Sequence, residues 1–265
     1  MQNSKRFPIE DWQEDSFLSP SQLKACRDLF LANESQLALS ILNLTRLSAE
    51  IKDSFPASTY LTPDEQDRLA SFTFAKRQSE WLGGRIAAKK AAIALVPNQP
   101  CPTIHYQDFS VESHSSGRPF LLCQTEVSKV LPEISISHSA AYAGALAVTG
   151  QGCGLDLQRI TNRVTRVCDR FASNAELLLL ANFRSLTEAS ALTLLWSAKE
   201  AFRKAIDCQP LTGFTEITLN HLEGNPQHSM IGYFSCPRLT PTLLPAFMLI
   251  RHDYACAITV IDSPA

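Results

Sequence analysis

In Trp196-Ser197-Ala198-Lys199-Glu200-Ala201-Phe202-Arg203-Lys204, a carboxylate and an ammonium, Glu200 and Lys204, stand four residues apart. On a helix that spacing puts them on one face, one turn from each other. Leu192, Leu195, Trp196, Phe202 and Ile206 recur at helical spacing around them and predict a long amphipathic helix over residues 188–206. Ser185, three places before Glu188, is the expected capping box at its start. An acid and a cation beside an apolar wall suit magnesium and phosphate chemistry. Taken alone, the same helix reads as a core helix with an ordinary surface ion pair.

Upstream residues change that balance. Ile134-Ser135-Ile136-Ser137-His138 alternates as a strand does, Tyr142 to Val148 reads as the next strand, and Gly154-Leu155-Asp156-Leu157 as a third. A carboxylate in the middle of an apolar strand is costly unless it is paired or metal-bound. Asp156 alone could be a turn carboxylate, and His138 a satisfied core histidine. With Glu200, however, two carboxylates come from separate elements, and two carboxylates plus substrate phosphates is a common way to hold magnesium.

Earlier still, Thr62-Pro63-Asp64-Glu65 starts a helix expected to reach Phe74. A second helix, over residues 77–95, is closed by Pro97. Lys76, Arg77, Arg85, Lys89 and Lys90 lie on or beside it among small residues such as Gly83, Gly84 and Ala87, so it can present cations to a phosphate; Lys90 reads as solvated. Gly117-Arg118-Pro119 holds an arginine in a tight turn, a preset anion fork.

The run from Gln36 to Leu44 is the first candidate strand, and residues 1–35 form an extension with one short helix over 21–32. Beyond Asp156 a helix is expected over 175–183. After Pro210 come strands over 213–220, 230–236, 247–251 and 254–261, the last two turning at His252-Asp253. Helices followed by strands in each half give an α+β fold of two similar packed halves with pseudo-two-fold symmetry and a cleft between them. The expected parts are residues 1–35, 36–130 and 131–265, the last carrying the magnesium and catalytic motifs.

Composition narrows the function. The chain has 265 residues, 45% of them hydrophobic, and 24 basic against 26 acidic residues give a net charge of -2. That balance points to no nucleic-acid partner. Eight cysteines, at 26, 101, 123, 153, 168, 208, 236 and 256, lack zinc-site spacing and read as reduced core thiols. The polar N-terminus lacks a signal core and no apolar run is long enough for a bilayer, so a soluble cytoplasmic protein without a membrane partner is expected.

Ser135 to His138, Gly154 to Leu157 and Trp196 to Lys204, in this order and spacing, resemble the 4'-phosphopantetheinyl transferases of the surfactin-synthetase-activating and enterobactin types. Arg77 to Lys89 and Gly117-Arg118-Pro119 also resemble motifs of that family, and the resemblance covers about residues 60–262. It implies transfer of the phosphopantetheine arm of coenzyme A to a serine of an acyl or peptidyl carrier protein, releasing adenosine 3',5'-bisphosphate. By that resemblance Asp156 and Glu200 would ligate Mg²⁺, Lys204 would steady the phosphates and His138 would contact the pyrophosphate. Arg77, Arg85, Arg118 and Ser137 would hold the adenosine end with its 3'-phosphate. Glu200 would also help deprotonate the incoming serine, directly or through water. A monomer is implied, because two halves in one chain would build the cleft that shorter relatives make between subunits.

Two other readings stand beside it. One is a non-catalytic carrier-protein or coenzyme A binding module, disfavoured by intact Asp156, Glu200 and Lys204. The other is an unrelated Mg²⁺-dependent nucleotide enzyme, for which the chain has no glycine-rich phosphate loop or dinucleotide fingerprint. Many of the family carry a second acid two residues after the aspartate, where this chain has Gln158. Gln158→Glu is therefore expected to lower the Mg²⁺ concentration needed for half-maximal activity, and an unchanged metal titration would contradict a role for that position.

Overall fold

The apolar run after Gln36 forms a strand and the alanine-rich stretches form helices, in the order that follows. The computed structural model describes residues 13–14, 17–30, 36–52, 55–96, 104–123, 131–206 and 211–262. Helix α1 (Pro20–Phe30) precedes strand β1 (Leu37–Asn43), then come α2 (Leu44–Lys52), α3 (Ala57–Tyr60), α4 (Pro63–Ala70) and α5 (Ala75–Ile93). Strands β2 (Phe109–Ser113), β3 (Pro119–Cys123), β4 (Glu133–Ser139) and β5 (Tyr142–Val148) follow. The order then repeats as β6 (Gln151–Arg159), α6 (Asn174–Ala181), α7 (Glu188–Ala205), β7 (Thr218–Asn225), β8 (Ser229–Cys236), β9 (Thr240–Arg251) and β10 (Tyr254–Asp262).

Every strand pair is antiparallel. One sheet runs β1-β5-β4, with the β2-β3 ribbon against β4, and the other runs β6-β10-β9-β8-β7. Mapped strand for strand, the two orders agree. Helix α5 covers β5, and α7 covers β6 and β10. Each half has its own apolar core, and a third apolar cluster lies between the sheets. Because β4 and β5 pair with each other and β5 pairs with β1, they belong with the first half. We therefore place the divide after Val148, rather than at residue 130.

A buried polar node recurs in both halves. Thr62 caps α4, its N–H donating to Glu65 Oε2 at 3.0 Å, while Glu65 Oε1 accepts the Val111 N–H at 3.0 Å. Lys89, fully buried, pairs with Glu65 and donates to the Tyr60 carbonyl at 2.8 Å. In the second half Ser173 caps α6, its N–H donating to Glu176 Oε2 at 2.8 Å, and Glu176 Oε1 accepts the Leu219 N–H at 2.8 Å. Lys199, 1% exposed, stands 2.7 Å from Glu176 and donates to the Phe171 carbonyl. Burial lowers the pKa of both lysines, and their glutamates oppose it. Lys89, expected among phosphate-facing cations, is thus a core residue. An ammonium taken out of water must have its donors satisfied, and this site satisfies them.

Several expected boundaries shift for local reasons. Thr187, not Ser185, caps α7: its Oγ1 accepts the Ser190 N–H at 3.2 Å, while Phe183 to Leu186 is still a turn. Helix α4 ends at Ala70 rather than Phe74, because Phe74 is extended and begins α5. The strand expected from Gly213 starts at Thr218, after a 3₁₀ turn at Phe214–Glu216. Cys26, Cys153 and Cys256 are buried free thiols and Cys236 is buried, whereas Cys101 and Cys208 lie outside the described residues. Among the described residues no helix is long and apolar enough to cross a membrane.

Glu176→Ala leaves a buried ammonium unpaired and is expected to cost about 3–5 kcal/mol in urea denaturation. Glu176→Leu combined with Lys199→Met should recover most of that loss, and a single variant as stable as the parent would contradict the node's role.

Candidate active site

Strand β6 ends its sheet, so alternate N–H groups along its outer side have no sheet partner. The serines of β4 supply acceptors at a period of two. Leu155 N–H donates to Ser135 Oγ at 3.0 Å, Leu157 N–H to Ser137 Oγ at 3.0 Å, and Arg159 N–H to Ser139 Oγ at 2.9 Å. This seam joins the two halves, and Asp156 lies in it, 6% exposed.

Ser137 Oγ donates in turn to Asp156 Oδ1 at 3.0 Å. Lys204 reaches across from α7, donating to the same oxygen at 2.8 Å and to the Leu155 carbonyl at 2.9 Å. Asp156 Oδ2 is buried with no hydrogen-bond partner among the described residues. That reach requires α7 to lie close on β6. Gly154 permits it, since a Cβ there would fall 1.8 Å from the Ala201 carbonyl oxygen.

Glu200 sits one turn before Lys204. Burial, and then the charge of Asp156, raise its carboxyl above the usual glutamate range, and Arg203 and Lys204 oppose the rise. Arg203 Nη1 stands 3.3 Å from Glu200 Oε1, its Nε donates to the Thr212 carbonyl at 3.0 Å, and its guanidinium lies 4.3 Å over the Phe214 ring. A cleft of about 230 Å³ opens here, lined by Arg118, Ser135, Glu200, Arg203 and Lys204 among others. Arg118 arrives on the tight turn at Gly117, where φ is +85°, and pairs with Glu133 at 2.9 Å.

His138 Nδ1 stands 3.8 Å from Glu80 Oε1, as does Lys76 Nζ. Burial lowers the His138 pKa, Glu80 opposes the shift, and Arg77 and Lys204 reinforce it. Arg77 and Arg85 line a different cavity, about 530 Å³, with Arg68, Phe72 and Trp81. Arg85 lies 4.6 Å over the Trp81 ring, and its buried Nε has no hydrogen-bond partner among the described residues. The charge of Arg77 acts on both His138 and Arg85, and that of Lys204 acts on His138.

The structure therefore brings Glu200, Lys204 and Arg118 to one cleft, holds buried Asp156 and Ser137 against Lys204, sets His138 by Glu80, and puts Arg77 and Arg85 at another cavity. Arg203 and Glu80 were missed from sequence, although Arg203 stands three residues from Glu200 on the same helix. Among the described residues no group of three or more His, Cys, Asp or Glu could hold a metal. Two carboxylates, one with a buried oxygen unpartnered among the described residues and the other raised by burial and then by its neighbour's charge, do fit a hard cation that takes its remaining ligands from water and substrate.

Comparison with known proteins falls on this region. Residues 152–259 match the family model of the 4'-phosphopantetheinyl transferase superfamily. Over 114 residues the chain is 30% identical to a holo-[acyl-carrier-protein] synthase of Shouchella clausii, spanning 42% of this chain and 94% of that protein. The chain belongs to the 4'-phosphopantetheinyl transferase superfamily. A second member of the superfamily, the holo-[acyl-carrier-protein] synthase of Bacillus subtilis, is 29% identical over 113 residues, 42% of this chain and 92% of its own. A crystal structure of such a synthase from Bacillus anthracis, in complex with CoA (3',5'-ADP), is 26% identical and covers 43% of this chain and 93% of its own, with a TM-score of 0.37.

Gly154→Ala drives a methyl into the α7 backbone, which no side-chain rotation relieves. It is expected to cost about 3 kcal/mol, at the upper end for overpacking, and to abolish activity through displacement of Lys204. A variant with parental stability in urea denaturation would contradict so close an approach of α7 to β6.

Proposed function

We propose that this chain transfers the 4'-phosphopantetheine arm of coenzyme A to a serine hydroxyl of an acyl or peptidyl carrier protein, converting it from apo to holo. We further assign it to the two-halved, surfactin-synthetase-activating and enterobactin type, with magnesium as its metal. The observation that carries the reading is the corner where Asp156, Glu200 and Lys204 meet on adjoining elements. The two-halved type is supported by the repeated order of elements, since single-half relatives match only one part of the chain.

Asp156 and Glu200 would hold the cation, Asp156 offering its unpartnered Oδ2. When bound, Mg²⁺ supplies neutralisation of the diphosphate charge that builds on the leaving group. Lys204, fixed by Asp156 Oδ1 and the Leu155 carbonyl, keeps an ammonium at the cleft wall for the phosphates. Arg77 and Arg85 supply further cations and His138 a ring N–H, and together they suit a ligand with anions spread along its length, such as coenzyme A with its diphosphate and 3'-phosphate. Arg118 stands at the cleft mouth for the same ligand. Ser137 acts there through Asp156, because its hydroxyl already bridges Asp156 and the Leu157 N–H.

Glu200, with its raised pKa, is placed to take the proton of the incoming serine hydroxyl. The serine oxygen then bonds to the phosphorus that carries the pantetheine arm. The bond from that phosphorus to the adenosine-side phosphate breaks, and adenosine 3',5'-bisphosphate leaves. Positioning and charge neutralisation do most of the work in such phosphoryl transfers.

Intact-mass analysis of an apo carrier protein incubated with the chain, coenzyme A and Mg²⁺ tests the reading. The expected result is a gain of one phosphopantetheine, lost without metal and in Glu200→Ala. No gain with carriers of several pathways, despite measurable coenzyme A binding, would overturn it in favour of a binding module.

A further inference from the structure

The repeat of the fold is broken at one place. Each sheet ends in the first strand of its half, β1 in one and β6 in the other. The end strand β6 is covered by the serines of β4. The end strand β1 has no such cover from β9. Residues 13–14 and 17–30, from the stretch expected from sequence to be an N-terminal extension with one short helix, lie there instead.

Gln13 bridges antiparallel to Leu42, the Glu14 N–H donates to the Ile41 carbonyl at 2.8 Å, and Arg27 Nε donates to the Leu37 carbonyl at 3.2 Å. Phe17 and Cys26 are fully or almost fully buried, and Leu18 and Phe30 nearly so. They complete the apolar cluster between the halves, with Leu37, Ile41 and Leu146 from one sheet and Phe247, Leu249 and Ile258 from the other. The Phe17 ring meets Tyr142 edge-on at 5.4 Å and Tyr254 at 6.5 Å, so it touches the first residue of the closing strand in each half.

The strand under this cover holds no second catalytic corner. Ser40 stands opposite Ala145, three places beyond Tyr142, where the second half has Asp156 opposite Ala257, three places beyond Tyr254. With Lys89 matched to Lys199, Lys90 falls at the position of Glu200 and Ala94 at that of Lys204. Ser40 is 2% exposed, and its hydroxyl has no partner among the described residues. The edge of β1 therefore lacks the aspartate, the helix acid and the helix lysine that make up the β6 corner.

An uncovered end strand presents a row of N–H and C=O groups, here above an apolar floor, and such an edge pairs readily with another strand. We infer that residues 13–14 and 17–30 are an internal stopper, occupying the β1 edge that would otherwise pair with the same edge of a second copy of this chain. Two β1 strands meeting antiparallel about a two-fold axis would satisfy each other's backbone and bury both apolar floors, a self-complementary contact. The stopper keeps the chain a single unit with one cleft. The inference rests on packing alone and is independent of the proposed reaction.

The test is light scattering of the full chain, of a variant lacking residues 1–30, and of that variant with a synthetic peptide of residues 13–30 added in trans. The full chain should be a monomer and the truncated chain a dimer that the peptide returns to monomer. In the full chain, Phe17→Asp with Leu18→Asp should give a concentration-dependent dimer. A truncated chain that stays folded and monomeric would overturn the inference. So would one that is unfolded and not restored by the peptide, since the extension would then be an inseparable part of the core.

Discussion

Three hydroxyl groups hold this structure at its critical line. Strand β6 would leave alternate N–H groups along its outer side unmet, and those of Leu155 and Leu157 are buried, where that is costly. Ser135, Ser137 and Ser139 meet them from the other half. Each such bond contributes roughly 1 kcal/mol net, whereas each one missing would cost more. The seam therefore fixes the register of the halves, and with it the depth of Asp156. Helix α7 then settles onto β6 at Gly154, and Lys204 and Glu200 follow from that contact.

The corner is polarised by design of its charges rather than by any single pair. Lys204 and Ser137 take one oxygen of Asp156 and leave the other unmet. Glu200 is raised by burial and by Asp156 together. Two acids that repel each other in a partly dry cleft are ready for a cation, and the arginines and lysine around them for an anion. Both halves carry the buried lysine–glutamate node, but the second places on the same helix, one and five residues after its lysine, the acid and the ammonium that meet Asp156. The duplicated scaffold thus bears chemistry on one side and a cover on the other.

Much of this was legible in the residues. The strand at Tyr142–Val148, the turn at His252-Asp253 and the long helix with Glu200 and Lys204 on one face follow from period and turn chemistry. The assignment of β4 and β5 to the first sheet was not legible, because pairing with β1 spans about a hundred residues and no local pattern encodes it. Lys89 misled for a different reason. A lysine on an alanine-rich helix looks the same whether it meets water or a glutamate from the preceding helix. The signal available was the capping pattern itself, Thr62 with Glu65 and Ser173 with Glu176, each followed by a lysine at nearly equal distance. The extension before β1 has mixed polarity and no strong period, so its burial depends on a floor that only the folded halves create.

The most direct test of the central claim is anomalous scattering from a crystal of the chain soaked with Mn²⁺ and coenzyme A. The account predicts a metal peak bounded by Asp156 and Glu200, with the phosphates of the ligand spread from Lys204 past His138 to Arg77 and Arg85. A peak elsewhere, or a bound ligand that leaves both carboxylates untouched, would contradict it.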